Sequence, residues 1–248
     1  HGADGAIWGG EFLCVQQGEW TRAAHLRPFL LPGGETAMRE PRRSALGLLY
    51  ERFGADGLAR PDLLPVQTFS AQELSVLQKM LETRLNSPVT TSAGRLFDAV
   101  AALCGIRQRC RFEGQAAMEL EFAAEETRAS EMYGFTIAQN PSGCLVADWA
   151  LMLDEILNDR KHNVPVAKIA GRFHNTLAEM IVALARRIGQ DQVALTGGCF
   201  QNGRLTERAV TRLQAEGFTV FWHQHVPPND GGIALGQAVA AIHFLQKD

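Results

Sequence analysis

Hydrophobic positions along this chain follow two different periods, and the period changes along its length. Leu96, Phe97, Val100 and Leu103 recur at helical spacing. Ser92 stands where a hydroxyl can cap the first turn, and Gly105 follows the last one. Together they predict a helix from Ser92 to about Cys104. Residues 6–16 and 20–26 are instead rich in strand formers and predict a β-hairpin turned by Gln17-Gly18-Glu19. Residues 28–34 form a Pro/Gly loop, and Pro41 opens a helix to about Phe53. Residues 54–70 predict a loop, because Gly54, Gly57, Pro61 and Pro65 interrupt any period. Helices follow over Ala71–Leu85 and Glu113–Glu126, with Asn86-Ser87-Pro88 breaking the chain after the first. Residues 127–146 carry no clear period; a short strand near Gly134–Ala138 is the one element suggested there.

Beyond Asp148 the pattern is regular. Helices are predicted at Asp148–Leu157 and Val164–Ile188, then a buried strand at Val193–Thr196. A helix at Gln201–Ala215, a strand at Thr219–Trp222 and a final helix from about Gly231 complete the chain. Alternating strand and helix implies a parallel α/β layer. The organisation expected is therefore hairpin strands over 1–26, a mainly helical region over 41–190 and an α/β segment over 191–248.

Composition narrows the function classes. With 248 residues and 46% hydrophobic content the chain can bury a full core without staples. A net charge of −3 gives no pull toward nucleic acid or an anionic membrane. No apolar run reaches the ~20 residues that span a bilayer, and no signal-peptide pattern is visible. Cys14, Cys104, Cys110, Cys144 and Cys199 form no CxxC pair, which argues against a zinc cluster or a disulfide framework and fits a reducing, cytoplasmic setting. The opening His-Gly-Ala-Asp-Gly enters a strand at once without Met, and so reads as a piece of a longer protein.

Five segments carry candidate chemistry. In residues 193–202 (VALTGGCFQN) a buried strand ends in Gly197-Gly198 just before a helix start. Glycines there admit a ligand to the backbone, and helix N-termini offer unpaired N–H groups; a tight turn without a ligand is the plainer reading. In residues 229–238 (NDGGIALGQA), Asn229 or Asp230 is placed to cap the last helix, the default role for such residues. A carboxylate at this turn also suits a divalent metal held against phosphates. Residues 4–11 (DGAIWGGE) set Asp4 and Gly5 before Gly9-Gly10, a pattern that fits a phosphate-binding hairpin and fits a plain hairpin equally. Asp98 lies in an apolar helix with Arg95 three residues before it, so spacing alone favours an ion pair over ribose binding. Residues 112–121 place Gly114 ahead of Glu119 on what reads as a glutamate-rich solvated face. His25, His162, His174 and His243 stand singly, and His223 with His225 read as surface chemistry. There is no HxxxH, GxSxG elbow or P-loop. Cys199 follows two glycines near a helix start, where thiol pKa values fall, but a small packed residue is the simpler role.

Taken in order, DGAIWGGEFL, SAGRLFDAVAALCGI, EGQAAMELE, FHNTLAEMI, LTGGCFQNGRLTE and NDGGIALGQA resemble the C-terminal carbamoyltransferase domain of the HypF family of [NiFe] hydrogenase maturation proteins, from Asp4 to about Ala238. That domain is similar to the threonylcarbamoyl-adenosine tRNA-modification enzyme. The resemblance implies an α/β chain of the actin-like, sugar kinase and Hsp70 ATPase (ribonuclease H-like) fold, its C-terminal half, with a mostly helical middle insertion. It implies carbamoyl transfer from carbamoyl-adenylate, made from carbamoyl phosphate and ATP, to the C-terminal cysteine thiol of a HypE-like partner, toward cyanide ligand synthesis. It places Asp4, Gly5, Gly9 and Gly10 near the phosphate-binding hairpin, and Asp98, Gly114 and Glu119 at ribose and adenine. It places Gly197, Gly198 and Asn202 at a second nucleotide turn, and Asp230 at a divalent metal (Fe, Zn or Mg). The family's HxxxH metal histidines are absent, as are its other domains, and His1 stands where the family usually has an aromatic residue. The expectation is part of an adenosine pocket without a complete metal site, and no activity from this stretch alone. A related O- or threonylcarbamoyltransferase and a non-catalytic nucleotide-binding docking module are the alternatives.

Overall fold

Capping and pairing residues set the ends of most elements. The computed structural model describes residues 2–16, 18–124 and 131–245. The expected turn residue Gln17, the position of His1 and part of 127–146 therefore lie outside the described residues. The chain divides into two units, 1–176 and 177–248.

In the first unit, β1 (Glu11–Gln16) and β2 (Glu19–Leu26) form the antiparallel hairpin, with an irregularity between Phe12 and Leu13. Residues 6–10 are not strand; only Ile7 bridges, to Thr90. The reason is local: Asp4 and Glu11 accept the N–H groups of this stretch and hold it in a bend. Next come β3 (Phe29–Leu30), α1 (Glu35–Arg39) and α2 (Pro41–Phe53), with Pro41 at its first position. The predicted loop 54–70 contains a 3₁₀ turn (Gly54–Gly57) and the short α3 (Leu64–Gln67). A capping box opens α4 (Ala71–Thr83): the Glu73 N–H donates to Ser70 Oγ at 3.2 Å, and the Ser70 N–H donates to the Glu73 carboxylate at 2.7 Å. Then follow β4 (Val89–Thr90), which pairs with β3, α5 (Ala93–Leu103) and α6 (Gln115–Ala123).

The stretch without a clear period yields two strands, β5 (Thr136–Gln139) and β6 (Leu145–Asp148). β6 runs parallel beside β2, giving the sheet order β1-β2-β6-β5. β5 answers to the strand suggested near Gly134–Ala138; β6 is unannounced, because its pairing with β2 is a long-range contact. α7 (Ala150–Lys161) follows, and the long α8 (Val166–Ile188) contains the boundary between the units. The core of the first unit centres on α2 and α5, which bury Ala45, Leu46, Leu49, Leu96 and Val100 completely. Trp149 is also fully buried; its indole N–H donates to the Arg27 carbonyl at 2.8 Å, and Phe29 meets it edge-on.

The second unit carries β7 (Gln192–Leu195), α9 (Gly203–Ala215), β8 (Thr219–Trp222) and α10 (Ile233–Leu245). β7 and β8 pair in parallel around α9, as the alternating pattern predicts. Leu205, Ala209 and Leu213, four residues apart, form the buried stripe of α9. By contrast α10 is apolar on all sides and exposes Ile233, Leu235, Val239 and Ile242. Among the described residues no helix is long and apolar enough to cross a membrane.

Candidate functional site

Asp98 is the most unusual polar group in the first unit. It sits mid-helix on α5, 2% exposed, in the helix that Ser92 caps by accepting the Arg95 N–H. Arg95, also buried, brings Nη1 to 2.8 Å from Asp98 Oδ2, the pair expected from their spacing. The approach is off the line of a hydrogen bond, so both atoms are buried without one. Burial pushes the carboxyl up to about 6, against the pull of Arg95, and nearby Glu113 raises it further. A buried carboxylate oxygen without a hydrogen-bonded proton is costly unless a ligand supplies a donor.

Gly114, beside Glu113, starts α6 in the left-handed region at φ 78°, with open space where a side chain would stand. Glu119 is not a free solvated carboxylate. Arg107 donates to both its oxygens, at 2.8 and 2.5 Å, and Gln115 donates at 3.0 Å. Hydrogen bonding from Arg107 holds it below the usual carboxylate range. No helical spacing announces this pairing, because Arg107 lies in the loop before α6.

In the second unit two turns come together after the parallel strands. The Gly197 N–H donates to the Pro228 carbonyl at 2.8 Å, which ties the turn after β7 to the turn before α10. Gly197 has φ 104°, and no atom lies within 4 Å of where its side chain would be. At Gly198 an added methyl would meet only Asn229, at 3.9 Å. Asn202 caps α9, its Oδ1 accepting the Leu205 N–H at 2.8 Å. Asn229, not Asp230, is the cap here: its Oδ1 accepts the Gly231 N–H at 3.0 Å, and Asp230 is exposed.

The Gly9–Gly10 bend is built differently. Its N–H groups donate to Glu11 Oε2 at 2.5 and 2.8 Å. Glu11 Oε1 accepts from Arg22 Nη2 at 2.8 Å and from the Thr91 hydroxyl. Arg22 also donates to Asp4 at 2.8 Å and lies over the Trp8 ring at 4.3 Å. Desolvation raises the Asp4 carboxyl, but the Ala6 N–H, the Trp8 indole and Arg22 outweigh it and hold it below the usual range. Gly5 has φ 78° with open space around it, whereas a side chain at Gly10 would stand 2.4 Å from the Thr91 carbonyl. This is the close backbone approach that paired glycines suggest, but the approaching backbone is the protein's own. Sequence reading missed Glu11, Arg22 and Thr91; the signal available was an acidic residue directly after two glycines.

The remaining candidates differ in their surroundings. His174 is fully buried, beside Phe97 and Phe173, and its Nδ1–H donates to the Ala170 carbonyl at 2.7 Å. His223 Nε2 lies 3.1 Å from the Thr196 hydroxyl. Cys199 sits half-buried in the 3₁₀ turn Gly198–Gln201. Among the described residues no three His, Cys, Asp or Glu side chains gather as metal ligands.

Comparison with known proteins shows the family of the chain. Residues 1–237 match the family described as carbamoyltransferase, Kae1-like domain, second subdomain. The chain belongs to the HypF carbamoyltransferase family. It is 38% identical over 258 residues to carbamoyltransferase HypF of Synechocystis sp., covering 99% of this chain and 33% of that protein. It is 34% identical to a probable carbamoyltransferase HypF of Methanocaldococcus jannaschii, covering 98% and 31%. A HypF homolog of Cupriavidus necator matches at 36%, covering 97% and 62%. The chain thus spans about a third of the first two HypF proteins. Among solved structures, full-length HypF in a phosphate- and nucleotide-bound form superposes with TM-score 0.89 at 37% identity, covering 98% of this chain and 32% of that one. HypF of T. kodakarensis gives TM-score 0.81 at 27% identity, covering 99% and 33%.

Proposed function

We propose that this chain forms the nucleotide-holding part of a carbamoyltransferase with the actin-like, sugar kinase and Hsp70 ATPase fold. The reaction is transfer of a carbamoyl group from carbamoyl-adenylate, itself made from carbamoyl phosphate and ATP, to the C-terminal cysteine thiol of a HypE-like partner. Asp98 carries the reading. Its buried oxygen lacks a directed hydrogen bond, and the hydroxyls of a ribose would supply one. Gly114 and the Gly197–Gly198 turn leave backbone open to a ligand, as an adenine or phosphate edge requires.

The chemistry asks mainly for positioning. The thiolate sulfur bonds to the carbamoyl carbon, the carbon–oxygen bond to phosphate breaks, AMP leaves, and the thiol proton passes to solvent. AMP is a good leaving group and a thiolate a strong nucleophile, so this chain's residues need only hold the adenylate and leave the carbonyl accessible. Asp230 offers one carboxylate toward a divalent metal. One carboxylate does not make a metal centre, and no step here depends on it.

Asp98→Asn in the full-length protein tests the reading. Calorimetric titration with AMP will show affinity reduced by about tenfold or more in a variant that thermal melting shows to be folded. Unaltered AMP affinity in a folded Asp98→Asn protein contradicts it.

A further inference from the structure

Arg95 and Asp98 are held close without being hydrogen-bonded. Their side chains are 10% and 3% exposed, with Arg95 Nη1 at 2.8 Å from Asp98 Oδ2. Neither atom has a hydrogen-bond partner among the described residues. The contrast is Arg107, which comes from outside α6 and donates to both oxygens of Glu119 at 2.8 and 2.5 Å. Arg95 and Asp98 lie three apart on one helix and meet off that line. The first turn of α5 is also pinned. The Ala93 N–H donates to the Gly9 carbonyl at 3.1 Å, the Ser92 N–H to the Thr90 hydroxyl at 3.1 Å and the Arg95 N–H to the Ser92 hydroxyl at 3.3 Å. The other ionisable groups around Asp98 are Glu113 and Cys110, both between α5 and α6. Among the described residues, Arg95 is the one cation acting on it.

We propose that Arg95 is a positioning residue of the nucleotide site: it keeps the buried Asp98 carboxylate ionised while leaving one oxygen free for a ribose hydroxyl. The inference rests on the nucleotide reading of Asp98 given above and adds the group that readies it. Burial favours the neutral acid, whose own proton competes for the place that the hydroxyl proton would take. A nearby positive charge opposes burial. An aligned guanidinium would do the same but would occupy the oxygens, as Arg107 does at Glu119. The sideways approach of Arg95 supplies the charge and leaves the acceptor open. With Arg95 in place the carboxyl stands at about 6, and Arg95 is what lowers it. Loss of that charge moves it higher.

The probe is adenosine, which carries the ribose without a phosphate that titrates in the same window. Its affinity is measured by calorimetry against pH in the full-length protein and in Arg95→Met and Arg95→Lys, with thermal melting to identify folded variants. In the unsubstituted protein affinity is expected to fall about tenfold between about pH 7 and about pH 5, as Asp98 takes up its proton. In Arg95→Met the midpoint of that fall rises by about one pH unit or more, and Arg95→Lys brings it back by restoring the charge. A merely structural role lowers affinity equally at every pH. A midpoint unmoved in folded Arg95→Met overturns the role of Arg95 and leaves the nucleotide reading standing. Should Arg95→Met not fold, the unsubstituted profile decides: a fall through about pH 6 upholds the proposal, and affinity flat across that range overturns it. No adenosine binding to the unsubstituted protein, or equal binding by Asp98→Asn at neutral pH, overturns both.

Discussion

At Gly9–Gly10 the protein fills its own bend: Glu11 takes both N–H groups, and the Thr91 carbonyl leaves no room for a side chain. At Gly197–Gly198 the turn bonds to the Pro228 carbonyl and accepts the Phe200 N–H, and among the described residues open space adjoins the Gly197 Cα. Both regions are glycine pairs that the sequence offers as candidate phosphate-binding turns, the first leading into a strand and the second toward a helix. The difference shows that a Gly-Gly pair records a close approach without saying what approaches. In the first unit it is the protein's own backbone and carboxylate. In the second, no described atom approaches within 4 Å of an added Gly197 Cβ.

The largest effect expected from this contrast is on folding. Gly10→Ala places a methyl against the Thr91 carbonyl and will cost about 3 kcal/mol, read as a lower denaturant midpoint with an unchanged slope. A loss below about 0.5 kcal/mol would mean that the bend is not closed.

Next is the pH dependence set by Asp98. Its carboxyl is raised from 3.8 to about 6 in the folded protein, so the folded state binds the proton more tightly than the unfolded one. Stability from this group is full below the unfolded value and is lost as pH rises through about 6. The stability of the protein relative to its Asp98→Asn variant will therefore fall by about 1 kcal/mol between pH 5 and pH 7. A difference that stays flat across that window would show that Asp98 is not desolvated as described.

The smallest effect is the most telling for the second bend. Gly198→Ala meets only Asn229 at van der Waals distance, so stability will change by less than about 0.5 kcal/mol while AMP affinity drops. Lost stability with intact AMP binding would reverse the comparison.

Much of the fold was legible in the sequence. The Ser92 cap, the α5 stripe and the parallel β7–α9–β8 order follow from period and capping alone. β6 (Leu145–Asp148) escaped notice because its place beside β2 is a contact between residues more than a hundred positions apart. In the candidate site, the Arg95–Asp98 pair was readable from helical spacing. Glu11 was not: its partners Arg22 and Thr91 are 11 and 80 residues away. The Arg107–Glu119 pair was hidden likewise, since it joins a loop to a helix. Asn202 and Asn229 follow the ordinary capping preference, which was the default expectation at Asn229 or Asp230, whereas Asn202 was singled out only through the resemblance to nucleotide-binding turns.

Hydrogen–deuterium exchange of the full-length protein, with and without AMP, tests the central claim most directly. The account predicts slower exchange in the segment spanning Gly197–Asn202 and around Gly114, with no change at Gly9–Gly10. Slower exchange at Gly9–Gly10 with none at Gly197–Asn202 would contradict it.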